Sequence, residues 1–160
     1  MSTSLLSTWR LMATQISLLE AAVRNQGSCL IKVDGLRDND ELYTLVFWGK
    51  GGEPLFRSDG HDLRAMLGDA LQVVGPVTVD PDATNRWDNE AEAFASIDEW
   101  ARTGFVFCLY INARHERDGD YLVCLSSGAP GLPGLITEAD DLSALLQRAL
   151  EWLLASTDAS

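Results

Sequence analysis

Three cysteines and two histidines are the side chains with the most reactive chemistry to offer: Cys29, Cys108, Cys124, His61 and His115. A cysteine nucleophile needs a nearby base and a donor for the developing oxyanion. All three cysteines fall in stretches that read as strands with apolar neighbours, where a thiol behaves as a small hydrophobe. Two histidines without a Cys-x2-Cys pair make a zinc site unexpected. Asp34, Asp38, Asn39, Asp40 and Glu41 supply oxygen ligands, but the central glycine of a calcium loop is absent, so this is a solvated hairpin turn. Asp118-Gly119-Asp120 reads the same way. Gly49-Lys50-Gly51-Gly52 lacks both the Ser or Thr after the lysine and the helix that a phosphate loop requires. Ser126-Ser127-Gly128 is a turn, not a nucleophile elbow. No catalytic, cofactor-binding or metal-ligating set emerges. The expectation is a non-enzyme without cofactor.

The densest feature is acidic. Between positions 80 and 99 stand Asp80, Asp82, Asp88, Glu90, Glu92, Asp98 and Glu99, with Arg86 as the one base. Trp87, Phe94 and Trp100 interleave with them. Carboxylates spaced along a rigid element can dock on the Arg and Lys of a basic partner, and aromatics beside them are typical interface anchors. Asp80, Asp82, Trp87, Asp88, Glu90 and Glu92 are therefore the expected partner-binding residues. Asp38, Asp40 and Glu41 form a second patch. The competing reading is a solvated connector whose aromatics tie it to the core. Trp152, off the apolar stripe of its helix, is a further exposed candidate.

The whole chain agrees in sign. Its 160 residues carry 24 acids against 12 Lys and Arg, a net charge of −12. Such a field repels nucleic-acid backbones and anionic membranes. The expected partner is a basic protein: a nuclease, a toxin or a nucleic-acid-binding complex. Met1 to Ser7 holds no basic region and no long apolar run, and no apolar stretch has the length of a membrane span. With an odd number of thiols, this suggests a reducing cytoplasm.

The elements follow from periodicity. Helical spacing of Trp9, Met12, Ala13, Ile16, Leu19, Ala22 and Val23 predicts a helix over 7–26, capped at Ser7 or Thr8. Strands are predicted at 29–33, 42–48 and 55–57, then a helix from 60 to 74 capped by Ser58 or Asp59. The segment 75–87 reads as a connector. Ser96-Ile97-Asp98-Glu99 has the form of a capping box. Strands follow at 105–113, 121–126 and 135–137, and a last helix is capped at Thr137 with Asp140.

Two stretches match at a separation of 79 residues: 62–71 with 141–150, with Cys29, Gly49, Gly52 and Pro54 answering Cys108, Gly128, Gly131 and Pro133. The predicted fold is α+β: an internal duplication of an α-β-β-β-α unit, forming one pseudo-twofold domain with antiparallel sheet covered by helices. Residues 7–74 are the first repeat, 75–87 the connector and 88–156 the second repeat, within one compact domain. Monomer and homodimer both remain open.

The α-β-β-β-α order resembles in topology the double-stranded RNA-binding domain. That family grips phosphate with lysines where its last helix begins. Here those starts read Ser58-Asp59-Gly60-His61-Asp62 and Thr137-Glu138-Ala139-Asp140-Asp141, so the resemblance does not carry the function. In size, charge and lack of catalytic motif the chain is similar to small acidic inhibitors of the toxin-immunity, anti-CRISPR and anti-restriction kind. A type III secretion chaperone, likewise small and acidic, is the alternative. A small-molecule-binding domain or enzyme built between the repeats is a third reading.

Overall fold

The apolar stripe of the first helix is buried along its whole length. Trp9, Met12, Ile16, Leu19 and Val23 are at most 2% exposed. The computed structural model describes residues 3–37, 41–49, 51–75, 81–111, 121–127, 134–139 and 141–158. The elements are α1 (Thr3–Gln26), β1 (Gly27–Asp34), β2 (Tyr43–Gly49), β3 (Pro54–Gly60), α2 (Leu63–Val74), α3 (Pro81–Asn89), α4 (Ala91–Ala101), β4 (Phe105–Ile111), β5 (Tyr121–Ser127), β6 (Leu135–Ala139) and α5 (Leu142–Asp158).

The fold is α+β: the described residues form five helices and one open antiparallel sheet of six strands in the order β3-β2-β1-β4-β5-β6. Alternation along each strand sends one set of side chains to each face. Cys29, Ile31, Leu45, Phe47, Leu109 and Val123 face the helices and join their apolar stripes in one core. Leu30, Lys32, Val46, Trp48, Tyr110 and Leu122 lie on the opposite face. There the rings of Trp48 and Tyr110 stack 6.4 Å apart across β1. At one corner of that face Lys32, Arg37 and Arg57 pair with Asp34 and Asp59.

Several expected boundaries move. Residues 81–87 of the expected connector are helical, because α3 runs from Pro81, a residue whose fixed φ and missing N–H suit a helix start. Ser7 and Thr8 lie inside α1, which begins at Thr3. Ser96 stands mid-helix in α4, so the capping box does not operate. Ser58 and Asp59 belong to β3, and Asp62 caps α2 by accepting from Ala65 N–H at 3.1 Å. Thr137 belongs to β6. Asp141 takes the capping role at α5, accepting from Ser143 N–H at 3.0 Å. Gly104, at φ 121°, takes the left-handed turn that leads α4 into β4.

The uniform separation of 79 also fails in the strands. Cys29 is fully buried under the helices while Cys108 is only half-buried on the other face. A shift of one residue sends every side chain of a strand to the opposite face. The pairings Gly27↔Gly49 and Phe105↔Ser127 relate the strands at a separation of 78 instead. The caps Asp62 and Asp141 keep 79, so one extra residue enters between β5 and β6.

Candidate functional site

Two acids sit where an apolar residue would be expected. Glu20 follows Ile16 by one helical turn on the buried face of α1, and Asp98 follows Phe94 in the same way on α4. They are 2% and 1% exposed. Burying a carboxylate is costly unless it is paired and hydrogen-bonded, and both are.

Asp98 Oδ2 accepts from Trp9 Nε1 at 3.0 Å and from the Tyr43 hydroxyl at 2.8 Å. Its Oδ1 accepts from Arg102 Nε at 2.9 Å, and Arg102 Nη2 also donates to the Tyr43 oxygen at 2.6 Å. Glu20 is held by the same kinds of group. Trp87 Nε1 donates to Oε1 at 3.4 Å and the Tyr121 hydroxyl donates to Oε2. Arg86 Nη1 reaches Oε1 at 3.3 Å and the Tyr121 oxygen at 3.0 Å. Between the two clusters Phe94 is sandwiched by indoles, with Trp9 at 4.9 Å and Trp87 at 5.5 Å.

The matching members recur at one spacing. Trp9 and Trp87, Glu20 and Asp98, and Tyr43 and Tyr121 each stand 78 positions apart. Each acid is served by a tryptophan and a tyrosine from the other half of the chain. Burial, then the charge of Glu20, pushes the Tyr121 phenol up to about 12. Burial and the charge of Asp98 raise Tyr43 in the same direction. For Arg102, burial favours the neutral form, but the charges and hydrogen bonds of Asp98 and Tyr43 together outweigh it and the guanidinium is held more firmly protonated than usual.

A cleft of about 560 Å³ opens beside the Asp98 cluster. Its walls come from the start of α1 (Leu5, Thr8, Met12), from Tyr43, from the turn into α2 (His61, Asp62, Leu63) and from the end of α4 (Glu99, Arg102).

The comparisons are negative. No family model, curated protein or solved structure matches the chain.

The expected partner-binding residues divide. Asp82, Asp88 and Glu92 are exposed and Glu90 is half-buried, all on α3, α4 or the turn between them. Trp87 is 1% exposed and packed on Phe94 and Tyr121, so it belongs to the core and offers nothing to a partner. Asp98, counted in the acidic tract, is likewise internal. Asp38, Asp40 and Asp80 lie outside the described residues. Glu41 is exposed, and its carbonyl oxygen accepts from Arg37 Nη1 at 2.7 Å. Trp152 is half-buried with its ring edge-on to Phe105 at 6.2 Å. Among the described residues no group of three or more His, Cys, Asp and Glu is placed to hold a metal ion. No helix among them is long and apolar enough to cross a membrane.

Sequence reasoning missed both buried acids and the cleft. The available signal was an acid at a stripe position, Glu20 after Ile16 and Asp98 after Phe94. A repeat search that allowed one inserted residue would have aligned the two Trp, acid and Tyr sets.

Proposed function

We propose that the chain is a non-enzymatic acidic protein that binds and covers a basic surface of a partner, such as a nuclease, a toxin or a nucleic-acid-binding complex. The observation that carries this reading is the direction of Arg86. It is the one base between positions 80 and 99, and it turns inward to Glu20 and Tyr121. Asp82, Asp88 and Glu92 stand on the exposed side of two helices. Rigid helices hold such charges at fixed spacing, which favours steering and register against a basic face.

The same reading includes an origin by duplication, with the sheet centre between β1 and β4 as the pseudo-twofold and both units sharing one domain. What supports it is the 78-residue spacing of the two Trp, acid and Tyr sets, each acid being capped from the opposite unit. One chain then does the work of a dimer of half-chains, in a reducing cytoplasm.

The test is capture of partners by the tagged chain from lysate of its native host, nuclease-treated and washed across a salt series. One stoichiometric basic protein, released as salt rises, is the expected result. The triple charge reversal Asp88→Lys, Glu90→Lys and Glu92→Lys should abolish that capture. Undiminished capture by the triple variant would show that this patch is the wrong one.

A secretion chaperone is the second reading, favoured by the apolar face of the sheet opposite the helices. Leu55 and Ile136 are 46% and 65% exposed, and Trp48 and Tyr110 are half-buried. A chaperone would retain an unfolded secreted segment at high salt.

A further inference from the structure

Two of the three thiols meet on the open face of the sheet. Cys108 on β4 and Cys124 on β5 stand directly opposite one another in the register. Both are half-buried, whereas Cys29 is sealed under the helices. Their row runs across four strands: Lys32 on β1, Cys108, Cys124, then Ile136 on the edge strand β6. Ile136 is largely exposed, so the row opens to solvent at that end.

The backbone pattern fixes how the two thiols face each other. Gly35 N–H donates to Phe105 O at 3.0 Å, one step beyond the pairing of Asp34 with Val106. Residues 105, 107, 109 and 111 of β4 therefore turn their backbone groups toward β1. The alternate residues, Cys108 among them, turn theirs toward β5. Cys108 and Cys124 are thus a hydrogen-bonded pair, the wider of the two kinds, with Cβ atoms about 5.5 Å apart. A disulfide requires about 3.5–4.5 Å between Cβ atoms, because its sulfurs are only about 2.05 Å from each other. An ion between the sulfurs relaxes that demand. With metal–thiolate bonds as long as those to zinc, about 2.3 Å, the sulfurs stand up to about 4.6 Å apart.

The donor set selects the ion. Structural zinc and iron–sulfur sites take four ligands. Among the described residues no group of three or more His, Cys, Asp and Glu is placed to supply them. A soft monovalent ion held in line by two thiolates needs no third donor, and thiolate softness favours Cu(I). One such ion with two thiolates carries a net negative charge. Lys32 is the other cross-strand neighbour of Cys108, and its charge acts on that thiol. At the adjoining corner three cations, Lys32, Arg37 and Arg57, meet two acids, Asp34 and Asp59. Among these five side chains one positive charge is left over to offset the site.

We propose that Cys108 and Cys124 bind one soft monovalent cation of the Cu(I) class, bridged between their sulfurs on the open face of the sheet. The site lies across the sheet from α3 and α4 and does not depend on the partner proposed above.

The test titrates the reduced full chain, without oxygen, with Cu(I) delivered from a coloured competing chelator. One ion per chain should leave the chelator, and X-ray absorption of the loaded chain should show two sulfur neighbours and no third. Cys108→Ser and Cys124→Ser should each abolish the transfer, and Cys29→Ala should keep it. Melts of each variant without metal separate lost binding from lost fold, and the X-ray absorption reading needs no variant. Glutathione disulfide alone should leave Cys108 and Cys124 as thiols. Transfer that survives either serine variant, one ion shared by two chains, a nitrogen or third sulfur at the metal, or Zn(II) held as tightly as Cu(I) would each overturn the assignment. Prompt formation of a disulfide between the two cysteines would overturn it too, by showing that the pair is close enough to bond directly.

Discussion

Asp98 and Glu20 show what one residue out of pattern can signify. Each places a carboxylate on the apolar stripe of a helix, and each is satisfied by an indole N–H, a phenol O–H and a guanidinium. Asp98→Ala would strand Trp9 Nε1, the Tyr43 hydroxyl and Arg102 together. A loss of about 3–5 kcal/mol in urea unfolding is expected, with a smaller loss for Asp98→Asn, which keeps an acceptor. The phenols give a pH signature. Tyr121 is pushed up to about 12 from an ordinary value of 10.0. A group whose pKa is raised on folding contributes its full stabilisation below the unfolded value and loses it as pH rises through the folded one. Thermal melts should therefore fall between about pH 10 and 12, and Tyr121→Phe should flatten that fall. The types of these residues were legible in the sequence, but their burial was not. Trp87 read as an interface anchor because acids flank it, whereas helical phase turns those acids outward and the indole inward.

At the scale of elements, the strands and the two Leu-Ala helices were legible because their periods are unambiguous. α3 was not, because Pro81, Asp82, Thr84 and Asn85 are turn-forming types, and only the packing of Trp87 gives the segment a reason to be helical. The exact 79-residue match misled for a related cause. A separation of 79 holds for the caps Asp62 and Asp141 and for β3 and β6, but the pairings of β1 with β2 and of β4 with β5 run at 78, and one residue reverses the face. Gly35 makes a sharper check on how the elements meet. It lies just after β1, where a Cβ would come 1.6 Å from the carbonyl oxygen of Ala101 at the end of α4. Its N–H also donates to Phe105 O at 3.0 Å. Gly35→Ala has to push α4 away from the sheet. A loss of about 1–3 kcal/mol is expected from the melting curve, whereas the same change at Gly68, where the nearest atom is the end of the Gln15 side chain at 3.7 Å, should leave stability unchanged or slightly raised.

The strand order has a consequence for the molecule as a whole. β1 pairs with β2, β2 with β3, β4 with β5 and β5 with β6, so four of the five pairings join strands consecutive in the chain. The fifth, β1 with β4, joins residues as far apart as Cys29 and Ile111. Closing a long loop costs entropy before its contacts return anything, and distant pairings slow folding. Each meander should therefore gain structure early, with the contacts across the central seam completed after the transition state. Kinetic measurements on paired truncations check the order. Leu45→Ala and Val123→Ala, inside the meanders, should slow refolding, while Ile31→Ala and Leu109→Ala, at the seam, should chiefly speed unfolding. In a chain arranged this way, the step that joins the halves is also the one that brings Trp9 to Asp98 and Trp87 to Glu20. Until that step is complete, both acids lack their indole donors, and an interrupted molecule carries its own instability with it.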